Sequence, residues 1–119
     1  MGKNNYKVRY TDSAENDLKD IFLYFLRDLQ LPNRGWRIRK SVRAEIDHYL
    51  SYMPQGYKLV GDDTLAALGY RRLILKYGYL AFFIIDEKVP VATVRRIIHG
   101  SRDWLPILQR DAENLSHAK

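Results

Sequence analysis

The sequence predicts an α+β domain: an antiparallel sheet of about four strands, two N-terminal helices packed on one face, and a short C-terminal helix. Three observations predict it. Two apolar stripes at helical spacing lie between residues 12 and 53. Residues 69–104, rich in β-branched and aromatic side chains, hold three strands, and residues 6–11 alternate as a fourth. The order is therefore β, α, α, β, β, β and a short α. Helices gathered ahead of a strand meander pack together on one side of the sheet. The opposite face is then expected to be open, concave and lined by polar side chains, and function is sought there.

In the first strand Tyr6, Val8 and Tyr10 share one side and Lys7 and Arg9 the other. Asp12 is expected to cap the next helix, with Glu15 completing a capping box. Ala14, Leu18, Ile21, Phe22, Phe25 and Leu29 form its stripe, and Asp17 and Asp20 complement the dipole near its start. Leu31–Pro32–Asn33 ends this helix and opens a second, from about residue 34 to residue 52. Its buried face is expected to be Ile38, Val42, Ile46, Tyr49, Leu50 and Met53, and Pro54 stops it. Arg34, Arg37, Arg39, Lys40 and Arg43 crowd its first turns. Cations there oppose the helix dipole, so helix stability does not explain them, and taken alone they read as a solvated face.

Residues 54–69 read as a loop with a helical turn at 64–68. Strands follow at 70–76, 79–85 and 89–99, broken at Tyr77–Gly78 and at Asp86–Glu87–Lys88. Ser101 or Asp103 is expected to cap a last helix reaching Gln109, with Pro106 in its first turn and residues 112–119 fraying. On the last strand, parity separates Val94, Arg96 and Ile98 from Thr93, Arg95, Ile97 and His99, and a β-bulge would swap them.

A chain of 119 residues is one domain, 1–119, with an ordered core expected at about 6–110. It has no cysteine, which excludes disulfides, thiolate metal sites and cysteine nucleophiles. No signal-peptide pattern and no membrane-length apolar run occur, so a cytoplasmic location is expected. The net charge is +6. Most of it sits on the strands: Arg71, Arg72, Lys76, Lys88, Arg95, Arg96 and Arg102 stand against Asp86 and Glu87. Such clustering suits a polyanion, nucleic acid or an acidic protein.

His48, His99 and His117 are widely spaced and lack carboxylate partners at ligand spacing, so neither metal nor cofactor is expected. Gly69, Gly78 and Gly100 read as turn residues, not a phosphate loop. Cleavage of RNA without a metal needs a base, cations for the developing phosphorane charge and an acid for the leaving oxygen. Arg71, Arg72, Arg95, Arg96 and Arg102 supply cations, and His99 a group titrating near neutrality. Tyr70, Tyr77, Tyr79 and Trp104 are aromatic surfaces on which bases stack. The same residues equally describe ordinary sheet packing beside a basic surface.

The stretches GYRRLILKYGYLAFFIIDE and VATVRRIIHGSRDW, in this order within a β-α-α-β-β-β chain, resemble the RelE/ParE superfamily of toxins from type II toxin–antitoxin systems. The resemblance spans most of residues 6–110. It implies two helices on one side of a curved sheet, and an antitoxin partner whose acidic segment covers the basic groove. The activity it implies divides. RelE-like members are metal-independent endoribonucleases that cut ribosome-bound mRNA, whereas ParE-like members inhibit DNA gyrase. On the first branch Arg71 and Arg102 match basic positions of the catalytic set and His99 is a candidate acid or base. Arg72, Lys76, Arg95, Arg96, Tyr79 and Trp104 would bind nucleic acid. Tyr79, however, stands where that branch carries a catalytic arginine. The leading expectation is ribosome-dependent mRNA cleavage. The alternatives are gyrase inhibition without chemistry and an inactive relative kept as a binding module.

Overall fold

The computed structural model describes residues 5–117. Strand β1 (Lys7–Tyr10) leads into α1 (Asp12–Arg27) and α2 (Pro32–Leu50), then α3 (Asp63–Ala67) and the strands β2 (Arg71–Ile74), β3 (Tyr79–Asp86) and β4 (Val91–His99). Helix α4 (Trp104–His117) closes the described chain. The sheet order is β1-β4-β3-β2. The β2–β3 and β3–β4 pairs are antiparallel, as expected, but β1 lies parallel to β4, so the sheet is mixed. The helical hairpin between β1 and the meander carries the chain back across the sheet, which is what a parallel neighbour requires. No described helix is long and apolar enough to cross a membrane.

One core layer joins Ala14, Leu18 and Ile21 of α1, Ile38, Val42, Ile46 and Leu50 of α2, and Leu73, Ala81, Phe83, Ala92, Val94 and Ile97 of the sheet. The two helices touch closely at Gly35. A Cβ there would sit 2.6 Å from that of Phe25. Tyr49 and Met53, expected on the buried face, are exposed because the stripe of α2 is the narrower Ile38–Val42–Ile46–Leu50 row. The cap of α1 is Thr11, not Asp12: its hydroxyl accepts from the Ala14 N–H at 3.1 Å. The same hydroxyl donates to the Arg95 carbonyl at 3.0 Å. A threonine that serves helix and strand together leaves Asp12 in the first turn.

The second sheet face is not open. Tyr70, Leu80, Phe82 and Ile98 form a second core with Val60, Leu65, Leu108 and Ala112. Helix α4 continues to His117 instead of fraying from residue 112, and Ala112 is buried. The reason is apolar balance. Phe82 and Ile98 are too large and greasy to face water, and Trp104, Leu105, Leu108 and Ala112 recur at helical spacing to cover them.

The last strand is bulged. Phe82 pairs with Arg96 and Phe83 with Val94, leaving Arg95 without a partner on β3. The extra residue moves Val94 and Ile98, which strict alternation would place together, into opposite cores. Beyond Val94 strand β1 has ended, and α1 takes over the exposed edge of β4. The Thr11 N–H donates to the Val94 carbonyl at 3.0 Å, and the Asp17 carboxylate accepts from the Ile97 N–H at 2.8 Å. Asp17 also accepts from Arg96 Nε and Nη2, at 2.7 and 2.9 Å. Asp111 of α4 accepts from Arg96 Nη1 at 3.1 Å. One guanidinium thus ties α1, β4 and α4 together.

Candidate functional site

A cleft of about 770 Å³ opens between the helical hairpin and the end of the sheet. One wall is Asp20, Ile21, Tyr24 and Phe25 of α1 with Leu29 and Leu31 of the turn and Arg34 of α2. The other is Tyr77, Tyr79, Ile97, His99, Ser101 and Arg102. The strand end is held by its turn. Leu75 donates to the Tyr79 carbonyl at 2.9 Å, and Gly100 to the Gly78 carbonyl at 2.8 Å. Tyr77 and Gly78 both have positive φ, 61° and 82°, as the tight right-twisting hairpin turn demands.

His99 is fully engaged. A carbonyl only accepts, so the 3.1 Å contact from Nε2 to the Tyr77 oxygen places the proton on Nε2. In that neutral tautomer Nδ1 accepts from the Ser101 N–H at 3.2 Å and from its hydroxyl at 2.8 Å. Its ring also meets Tyr79 edge-on at 5.0 Å. Burial, with the nearby Tyr24, pushes the Tyr79 phenol up, so it holds its proton and can only donate or accept as a neutral group. Among the described residues no group of three His, Asp or Glu side chains gathers as a metal site would need.

Gly78 shows how tight this corner is. A Cβ at Gly78 would lie 2.7 Å from His99 Nε2, on a backbone with φ of +82°. Gly78→Ala is expected to cost about 2 kcal/mol, the left-handed penalty plus the displaced histidine hydrogen bond. A urea melt checks it, and an unchanged midpoint would mean the turn rearranges freely.

Of the residues singled out from sequence, His99, Arg102, Tyr77 and Tyr79 come together in the cleft. The others do not join them. Arg71 lies at the far edge of the sheet, its Nη1 donating to the carbonyls of Tyr57 (2.6 Å) and Gln55 (3.2 Å). It pairs with Phe83, four residues along β3 from the partner of His99. That register puts the two Cα atoms roughly 16 Å apart. Arg72 and Lys76 are exposed on and just beyond β2, Arg95 is half-buried in the bulge, and Arg96 is held between its two aspartates. Trp104 packs against Phe82 at 5.0 Å, and Tyr70 is fully buried, so neither offers an open ring face. The reading from sequence missed the helical wall: Asp20, Tyr24, Leu29, Leu31 and Arg34. A signal was present, because residues 21–31 carry apolar side chains on every side of the helix end, more than a one-sided stripe needs.

This mixed sheet, backed by a helical hairpin and cleft at its C-terminal strand end, is the fold of small toxins from toxin–antitoxin systems. It aligns with a chain of the chromosomal ParDE system from P. aeruginosa at a TM-score of 0.67 and 16% identity, over 82% of this chain and 98% of that one. A chain of the RelBE2 toxin–antitoxin complex from Mycobacterium tuberculosis aligns at 0.62 and 22%, over 82% and 94%. A doubly substituted E. coli RelE in the free state aligns at 0.61 and 10%, over 93% and 98%. No match is found among curated protein sequences. Residues 8–104 match the family described as ParE toxin of type II toxin-antitoxin system, parDE, and the chain belongs to that family.

Proposed function

We propose that this toxin acts by binding, with DNA gyrase as its target, and that it does not cut RNA. What carries the reading is the state of the groups a nuclease would use. Arg71 is spent on backbone carbonyls, Arg96 on two carboxylates, and both ring nitrogens of His99 are occupied. These commitments of Arg71, Arg96 and His99 support a binding role over one that needs a free base beside converging cations. Membership of the ParE family points the same way. The cleft, with its aromatic and leucine walls rimmed by Arg34 and Arg102, suits a protein surface. A cognate antitoxin would restrain the toxin, its acidic segment meeting the cations around the cleft.

The test is a supercoiling assay with purified gyrase, coupled to mapping of mRNA 5′ ends after induction. Inhibition with trapped cleaved DNA and no new mRNA ends is expected. New ends with unimpaired supercoiling would overturn the proposal in favour of mRNA cleavage. One observation favours that second reading: His99, Arg102, Tyr77 and Tyr79 share one cleft. On it, Arg102→Ala alone should abolish cleavage while leaving the fold intact.

A further inference from the structure

A second groove, of about 280 Å³, lies on the outer side of α2 and shares no lining residue with the cleft. Trp36, Arg39, Lys40, Arg43, Ala44 and Asp47 line it. At one end the charges are already matched. Arg43 donates to Glu15 at 2.8 Å and lies over the Tyr10 ring, and Asp47 accepts from the Tyr10 hydroxyl at 2.6 Å. At the other end they are not. Among the described residues Arg37, Arg39 and Lys40 form no ion pair. Beside them Trp36 is 54% exposed, an unusual state for the largest apolar side chain on a helix. Its ring meets Phe22 edge-on at 6.4 Å, and the Arg39 guanidinium lies 5.6 Å from its centroid. Helix geometry sets Trp36, Arg39 and Lys40 side by side at three- and four-residue spacing, and the exposed Arg37 lies outside the groove, three residues from Lys40.

We propose that this groove and the helix surface beside it bind single-stranded nucleic acid, with Arg39 and Lys40 of the groove and Arg37 at its margin on the phosphates and Trp36 stacked against an unpaired base. Unmatched cations alone would suit any polyanion. The exposed ring narrows the choice. A duplex hides its base faces and would leave Trp36 without a partner, and the carboxylates of an acidic peptide would meet the cations without covering the ring. A single strand uses both features at once, the pattern of sequence-tolerant single-strand binders. Because this face is separate from the cleft, the proposal stands or falls independently of whether gyrase or mRNA is the target.

The experiment uses the full chain, purified free of antitoxin, and a short fluorescent oligothymidylate read by anisotropy across a salt series. Binding is expected to weaken linearly on logarithmic axes as salt rises. Arg37→Gln with Lys40→Gln should flatten that slope by about 1.4, near 0.7 for each phosphate no longer neutralised. Trp36→Ala should weaken binding on the order of tenfold at every salt concentration with the slope unchanged, and Trp36→Phe should restore most of it. These side chains are exposed, and matching far-UV spectra confirm that the variants fold. No binding by the parent chain, equal affinity for the duplex form, equal competition by polyglutamate, or indifference to Trp36→Ala would each overturn the proposal.

Discussion

Replacing Asp17 by alanine is expected to destabilise the protein by about 3–5 kcal/mol, the range for removing one partner of a buried ion pair. Set against a total of about 5–15 kcal/mol for a domain, this is a large fraction. The cause is specific. Asp17 is 7% exposed and accepts three hydrogen bonds, two from Arg96 and one from the Ile97 N–H. Without it the guanidinium and a strand-edge amide are left facing the flank of α1. The Asp17 hydrogen bonds hold the Arg96 guanidinium above its ordinary value, against the opposing effect of burial. A raised cation contributes fully below that ordinary value and loses its contribution only above it. The Arg96 contribution is therefore constant through neutral pH. In the double variant Asp17→Ala/Arg96→Met part of the loss should return, leaving about 1–3 kcal/mol for the orphaned Ile97 amide. Urea melts of the two variants measure both figures. A single-variant loss below about 1 kcal/mol would mean that water takes over the carboxylate's role.

Truncating Phe82 to alanine should cost about 3–5 kcal/mol and loosen α4. Phe82 is fully buried, and its ring meets Trp104 at 5.0 Å and an interplanar angle of 38°. It belongs to the same core as Leu108 and Ala112, so the cavity left behind would open directly under the C-terminal helix. Denaturation gives the energy, and faster amide exchange in α4 than in α2 would show where the damage lies. Equal exchange in the two helices would mean that α4 is held mainly by the Arg96–Asp111 pair.

Both predictions concern residues whose roles are hidden in the linear sequence. The helices, the three-strand meander and the turn at Tyr77–Gly78 are legible because periodicity and turn chemistry are local properties. Asp17 reads as an acid complementing a helix dipole, and nothing in its neighbours announces that it closes a sheet edge left open where β1 stops. The bulge at Arg95 is equally silent: an extra residue in one strand has no signature of its own, yet it decides which core each later side chain enters. The cleft is half legible. His99, Arg102 and Tyr79 stand out along the chain, but the wall from α1 and α2 does not, because it forms only once the hairpin packs against the strand end.

Family membership and element order follow from the amino-acid sequence alone, since they depend on short motifs and on spacing along the chain. So does the excess of positive charge on the strands. Which arginines remain available was decided by tertiary structure. A guanidinium is a long, many-donor group, and its availability depends on carbonyls and carboxylates brought to it from distant segments: Tyr57 to Arg71, Asp17 and Asp111 to Arg96.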